Sequence, residues 1–210
     1  MADDPDLDSA YALETSDDNK RLYKEWAERY DAEFVDGTTF RFPALIAHAY
    51  LVAKGKWPCL DVGCGTGAVA EQLPSDAILD GLDLSPEMLA VAAQKKRYRH
   101  LYEANLKKPL PFEDASYAGF VSSGTFTHGH VGAEALDELV RVTHPGGIAV
   151  LSVKPEIWEN LGFGTTFARL TQTGMIDDFG WTEEPIYGDP AKAPEGHGDD
   201  TGRIVHFRRI

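Results

Sequence analysis

Residues 59–67 read Cys-Leu-Asp-Val-Gly-Cys-Gly-Thr-Gly, an apolar run that meets an acid and then three glycines at alternate positions. Glycine lacks a Cβ and tolerates positive φ, so such a turn lets backbone N–H groups approach a ligand closely. The segment follows a strand-like stretch, and open α/β sheets bind ligands at the carboxyl ends of their strands. Gly63 to Ala68 also satisfies the dinucleotide fingerprint G-x-G-x-x-G/A, so the motif alone leaves two cofactor classes open. Asp61 places negative charge where a pyrophosphate would approach, which favours a cationic ligand. Asp83, at the end of the second strand-like run, offers a carboxylate to the two hydroxyls of a ribose in either class. His128 and His130 follow the fourth strand-like run. Their unperturbed pKa suits a general base. The H-x-H spacing would also suit a metal, but no third ligand is evident, and no metal is expected. Packing or hydrogen bonding within the loop is the plain alternative for either histidine.

Alternating patterns must position these residues. Strands are expected over 57–62, 78–84, 101–104, 117–122, 148–153, 179–187 and 203–209, and helices over 43–54, 67–73, 86–97, 133–142 and 158–175. Ser85-Pro86 reads as an N-cap followed by proline at the first helical position. A polar loop is expected at 123–132, and a turn at Pro145-Gly146-Gly147. Strands that alternate with helices imply an α/β fold: a doubly wound, Rossmann-like, seven-stranded sheet, mostly parallel, with helices on both faces. The two last strands suggest an antiparallel C-terminal hairpin at the sheet edge. Residues 20–30 carry a helical aromatic stripe through Tyr23, Trp26 and Tyr30. The division expected is an N-terminal helical lid segment over 1–54 and a core over 55–210, one structural domain overall.

The chain has 210 residues, a length suited to one domain with a sizeable core. The formal net charge of −14 opposes a nucleic-acid partner. No apolar run approaches a membrane span. The acidic start lacks the basic and apolar regions of a signal peptide, and two cysteines make no disulfide framework, so a cytoplasmic setting is expected.

Four motifs in order carry a resemblance. Residues 60–67 resemble motif I of the class I S-adenosylmethionine-dependent methyltransferases. Residues 81–89 resemble the second motif, Asn105-Leu106 with 110–114 the third, and 139–147 the helix and turn before the fifth strand. Residues 123–131, with Tyr30-Asp31 and Arg41, are also similar to the methyltransferase-like proteins named after the Williams–Beuren syndrome region and to their bacterial relatives.

The resemblance implies S-adenosylmethionine as cofactor and S-adenosylhomocysteine as product. It implies a loop of Gly63, Cys64, Gly65, Thr66 and Gly67 under the methionine part, with Asp61 supporting the ammonium. Asp83 would take the ribose, Leu84 and Met88 would flank the adenine, and Asn105 and Leu106 would meet its edge and face. Ser122 and Ser123 would face the methionine portion and Tyr30 would cap the cofactor, while Arg41 would pair with a carboxylate, either a substrate's or a structural one. Methyl transfer makes modest demands, because the cofactor carries the activated group and the protein aligns an acceptor about 3–3.5 Å from it. The expected activity is methyl transfer to a small-molecule acceptor, by a monomer or homodimer. The alternatives are a cofactor-binding module without catalysis and an NAD(P)-dependent oxidoreductase.

Overall fold

The computed structural model describes residues 27, 29–127 and 131–210. Tyr23 and Trp26, with most of the expected first helix, lie outside the described residues, as do His128 and His130.

Seven strands form one sheet: β1 (Cys59–Val62), β2 (Leu79–Asp83), β3 (His100–Glu103), β4 (Tyr117–Phe126), β5 (Thr143–Val153), β6 (Ile176–Pro185) and β7 (Thr201–Arg209). Their order is β3-β2-β1-β4-β5-β7-β6. β3, β2, β1, β4 and β5 run parallel, and β7 runs antiparallel to both β5 and β6. The C-terminal hairpin therefore closes the edge as expected, with the last strand inserted between β5 and β6.

Side chains alternate across the strands and feed two cores. Leu60, Val62, Phe120 and Leu151 pack with α4 (Ala135–Val142) and α5 (Phe163–Gln172). Cys59, Leu79, Val121 and Val150 pack on the other face with α1 (Phe42–Val52) and α2 (Ala68–Gln72). α3 (Pro86–Gln94) follows β2. Ser85 caps it as its sequence implied: the Ser85 side chain accepts the Met88 N–H at 3.2 Å. Although α1 belongs to the segment expected as a lid, its Ile46 and Tyr50 are fully buried in the second core.

Three local expectations change. β4 runs four residues past Ser122, where a loop was expected, because Phe126 pairs with Val153 after a register shift and Gly124 N donates to Ser152 Oγ at 2.9 Å. The turn at 145–147 is absorbed into β5, which starts at Thr143 opposite Tyr117 and is offset before Ile148 meets Gly119. The helix expected over 158–175 is shorter: it spans only Phe163–Gln172 as α5, with Gly162 immediately ahead of it, and a 3₁₀ turn, Pro155–Ile157, precedes the expected range.

Candidate functional site

The turn after β1 is fastened from two sides. Cys64 N donates to Leu82 O of β2 at 2.9 Å. The Val62 carbonyl accepts the hydroxyls of Ser122 at 2.8 Å and Thr125 at 3.0 Å, both from β4. Each glycine of the turn has its own physical reason. A Cβ on Gly63 would lie 2.1 Å from Thr125 Oγ1, so this position is closed by packing. Gly67 holds φ +93°, and a Cβ there would press on the Tyr98 ring at 3.1 Å. Gly65 holds φ +52°, but a Cβ there would meet no atom of the described residues within 4 Å. Gly65 therefore presents bare backbone to open space, as a ligand cradle requires.

That space is a cleft of about 1040 Å³ at the carboxyl ends of β1, β2 and β4, counting its open mouth. Gly63, Cys64, Gly65 and Thr66 line one part of it. Asp83, Leu84 and Met88 line another, with Asn105 and Leu106 after β3 and Ser123 on β4. Tyr30, Val35, Phe40 and Pro43 bring the amino-terminal segment to the same cleft.

Asp83 is half-buried, and its carboxylate accepts N–H groups from Gly65 at 2.8 Å and Ser85 at 2.9 Å. Burial raises its carboxyl above the usual range, against the pull of those backbone donors. Asp61 is fully buried behind the turn. Its Oδ2 accepts from Tyr98 at 2.7 Å, and its Oδ1 has no partner among the described residues. Burial pushes its carboxyl up to about 7; the Tyr98 bond opposes this and the Asp83 charge adds to it. Ser123 Oγ is likewise buried without a partner among the described residues.

Several sequence-derived placements differ. Asp61 and Gly67 stand outside the cleft lining. Ser122 is a correction: its hydroxyl is spent on Val62 O, joining β4 to β1 instead of facing the ligand space. Arg41 lines an adjoining cleft with Thr39 and Glu71 and is not part of the first one. The Asn105 carbonyl oxygen accepts Lys107 N–H at 2.9 Å, which leaves one lone pair for another donor. Among the described residues, no group of three or more His, Cys, Asp or Glu could hold a metal ion.

Sequence reasoning missed Val35, Phe40, Pro43, Thr125 and Val131, all of which line the cleft. It also missed a latch. The Asp31 carboxylate is hydrogen-bonded by the Thr66 hydroxyl and takes Lys95 Nζ at 2.5 Å, while Lys95 also reaches Glu71 at 2.7 Å. The π-helical turn Asp31–Asp36 is thereby tied to the glycine turn and to the end of α3. Asp31, Thr66 and Lys95 lie far apart in sequence and carry no local signature that would have revealed it.

Comparison with known proteins bears on this geometry. Residues 60–151 match the family model described as "Methyltransferase domain". Methyltransferase-like protein 27 of Homo sapiens is 34% identical over 165 residues, covering 73% of this chain and 66% of that protein. Demethylmenaquinone methyltransferase of Geobacillus stearothermophilus is 40% identical over 109 residues, covering 47% of this chain and 45% of that one. The chain thus spans just under two thirds of the first relative and less than half of the second.

Among solved structures, the N-methyltransferase NodS from Bradyrhizobium japonicum WM9, in complex with S-adenosylhomocysteine, is similar with a TM-score of 0.66 at 17% identity, over 90% of this chain and 97% of that one. The [4+2]-cyclase SpnF is similar with a TM-score of 0.69 at 19% identity, over 94% and 97%. At these identities the structures speak to the fold alone. The sheet order, the bare turn after β1 and the matched domain agree: residues 60–151 are a methyltransferase domain, on a fold similar to that of the class I S-adenosylmethionine-dependent methyltransferases.

Proposed function

We propose that this protein transfers a methyl group from S-adenosylmethionine to a small-molecule acceptor. The observation that carries the reading is Gly65, whose missing side chain leaves the cleft open directly beside the Asp83 carboxylate that receives its N–H. The site fits the cofactor on further counts. Asp61 Oδ1 and Ser123 Oγ are buried acceptors without partners among the described residues, and Leu84, Met88 and Leu106 offer apolar surface to a purine.

When bound, the cofactor supplies a methyl group activated on a sulfonium. Asp83 would hold the ribose hydroxyls, and Asp61 would offset the ammonium charge. Asn105 would address the adenine edge with its remaining lone pair and its amide N–H groups. Tyr30, Val35 and Phe40 would cover the cleft as a lid, held by the Asp31 latch, and exclude water.

The acceptor side is apolar where it is described, with Phe40, Pro43 and Val131 at the cleft. That supports a small, largely apolar acceptor, as do relatives named for demethylmenaquinone, and the net charge of −14 opposes a polyanionic one. Cys64 lines the cleft but does not serve as base: burial and the neighbouring Asp61 and Asp83 charges push its thiol well above the usual range. His128 and His130 are the proposed base candidates. The same reading gives a monomer or homodimer in the cytoplasm, with neither nucleic acid nor membrane as partner. No helix among the described residues is long and apolar enough to cross a membrane.

The test is calorimetric titration of the pure protein with S-adenosylhomocysteine and, separately, NADH. Binding of the first and indifference to the second is expected; the reverse would end the methyltransferase reading. A radiolabelled methyl-transfer screen over small-molecule pools then separates an enzyme from a binding module.

A further inference from the structure

Tyr98 lies between α3 and β3, outside every motif that marks the cofactor site. Its ring fills a slot left by two glycines. A Cβ on Gly67 would lie 3.1 Å from Cε2, and one on Gly81 would lie 3.0 Å from Cε1. The third glycine of the turn is therefore small to admit Tyr98, not to admit a ligand. From this slot the phenol donates to Asp61 Oδ2 at 2.7 Å. Burial and the nearby carboxylate push the phenol well above its usual range, so it keeps the proton that it donates to Asp61.

Asp61 is fully buried, and its second oxygen has no partner among the described residues. The groups that bear on it are Tyr98 from the α3–β3 segment, Asp83 from the end of β2, and the Cys59 and Cys64 thiols from its own strand and turn. None of these is cationic. A buried carboxylate without a positive neighbour is costly, and it is relieved by taking a proton or by an incoming cation.

We propose that Tyr98 is a positioning residue for the amino-acid end of the cofactor: by occupying Asp61 Oδ2 it leaves Oδ1, behind the turn, as the acceptor for the ammonium, directly or through water. The proposal rests on the cofactor assignment above. Tyr98 acts through Asp61 and touches no reacting atom.

The experiment compares two ligands. S-adenosylhomocysteine carries the amino-acid end, whereas 5′-methylthioadenosine lacks it. In Tyr98→Phe the ring still fills the slot and only the hydroxyl is lost. We expect S-adenosylhomocysteine to bind about tenfold more weakly at pH 7, the loss of one hydrogen bond to a charged group, with 5′-methylthioadenosine unchanged. Raising the pH to 8.5 should recover part of the lost affinity, because the variant's Asp61 ionises at higher pH. Asp61→Asn should show the same ligand-selective loss, and adding Tyr98→Phe to it should cost nothing further.

Equal losses for both ligands in Tyr98→Phe would reduce Tyr98 to a structural brace and overturn the proposal, as would affinities unchanged for both. Should Tyr98→Phe fail to fold, Asp61→Asn decides: an unchanged ratio of the two affinities overturns the proposal. A wild-type protein that binds neither ligand would instead overturn the cofactor assignment, and this inference with it.

Discussion

Replacing Asp83 with alanine separates a ribose-binding carboxylate from a structural cap. Asp83 accepts two backbone donors, Gly65 N at 2.8 Å and Ser85 N at 2.9 Å. Hydrogen bonds to a charged group contribute about 1.5–3 kcal/mol each, so the two together amount to roughly 3–6 kcal/mol in gross terms. Burial opposes this, since it raises the Asp83 carboxyl above its usual range, and the Asp61 charge stands nearby. We expect a net stability loss of about 2 kcal/mol on Asp83→Ala, or roughly 4–8 °C in Tm for a chain of this size.

Cofactor affinity should fall by a separate amount. Lost ribose hydrogen bonds to the carboxylate, at about 1.5–3 kcal/mol, correspond to a Kd for S-adenosylhomocysteine raised about 12- to 140-fold. Asp83→Asn should fall between, because the amide keeps one oxygen acceptor but sets an NH₂ against a backbone donor. Calorimetry on variants first shown to be folded by thermal melting reads both numbers. A folded Asp83→Ala protein that binds S-adenosylhomocysteine within about twofold of wild type would refute the ribose role, even if its Tm had dropped.

Asp61 has a folded-state pKa of about 7 against an ordinary 3.8, so between these values the folded protein holds a proton that the unfolded chain has lost. Ligand-free stability should therefore fall as pH rises from about 4 to about 7, by up to roughly 4 kcal/mol from this group. Asp61→Asn removes that slope, and urea unfolding at pH 5 and pH 8 should show the variant gaining on wild type at the higher pH; an equal difference at both values would refute the assignment. Gly65→Ala, at φ +52° with no atom of the described residues within 4 Å of its Cβ, should cost about 1 kcal/mol of stability yet weaken cofactor binding more than about tenfold. Gly67→Ala, at φ +93° and 3.1 Å from Tyr98, should reverse that balance, with the larger effect in the thermal melt. Arg97 donates to the carbonyls of Ala70, Leu73, Pro74 and Ser75 at the end of α2. Arg97→Lys should cost about 1–2 kcal/mol, because one ammonium cannot span that set, while cofactor affinity stays unchanged.

Much of this protein is written locally in its residues. The buried strands, the Ser85 cap, the glycine turn and the order of the motifs all follow from patterns within a dozen neighbouring positions, where periods of 2 and 3.6 mark strand and helix. Asp61, Gly65 and Asp83 could be singled out on type and place alone. Other features depend on which strand lies beside which and in what register. Ser122 and Ser123 are adjacent and chemically identical, yet the first binds Val62 O and the second lines the cleft, because successive side chains leave opposite faces of a strand. Tyr98 meets Gly67 and Gly81, and Asp31 meets Thr66 and Lys95, only after the sheet has formed. Such contacts join residues tens of positions apart and leave no periodic trace, so the turn could be recognised from its sequence, whereas what braces it was decided by tertiary packing.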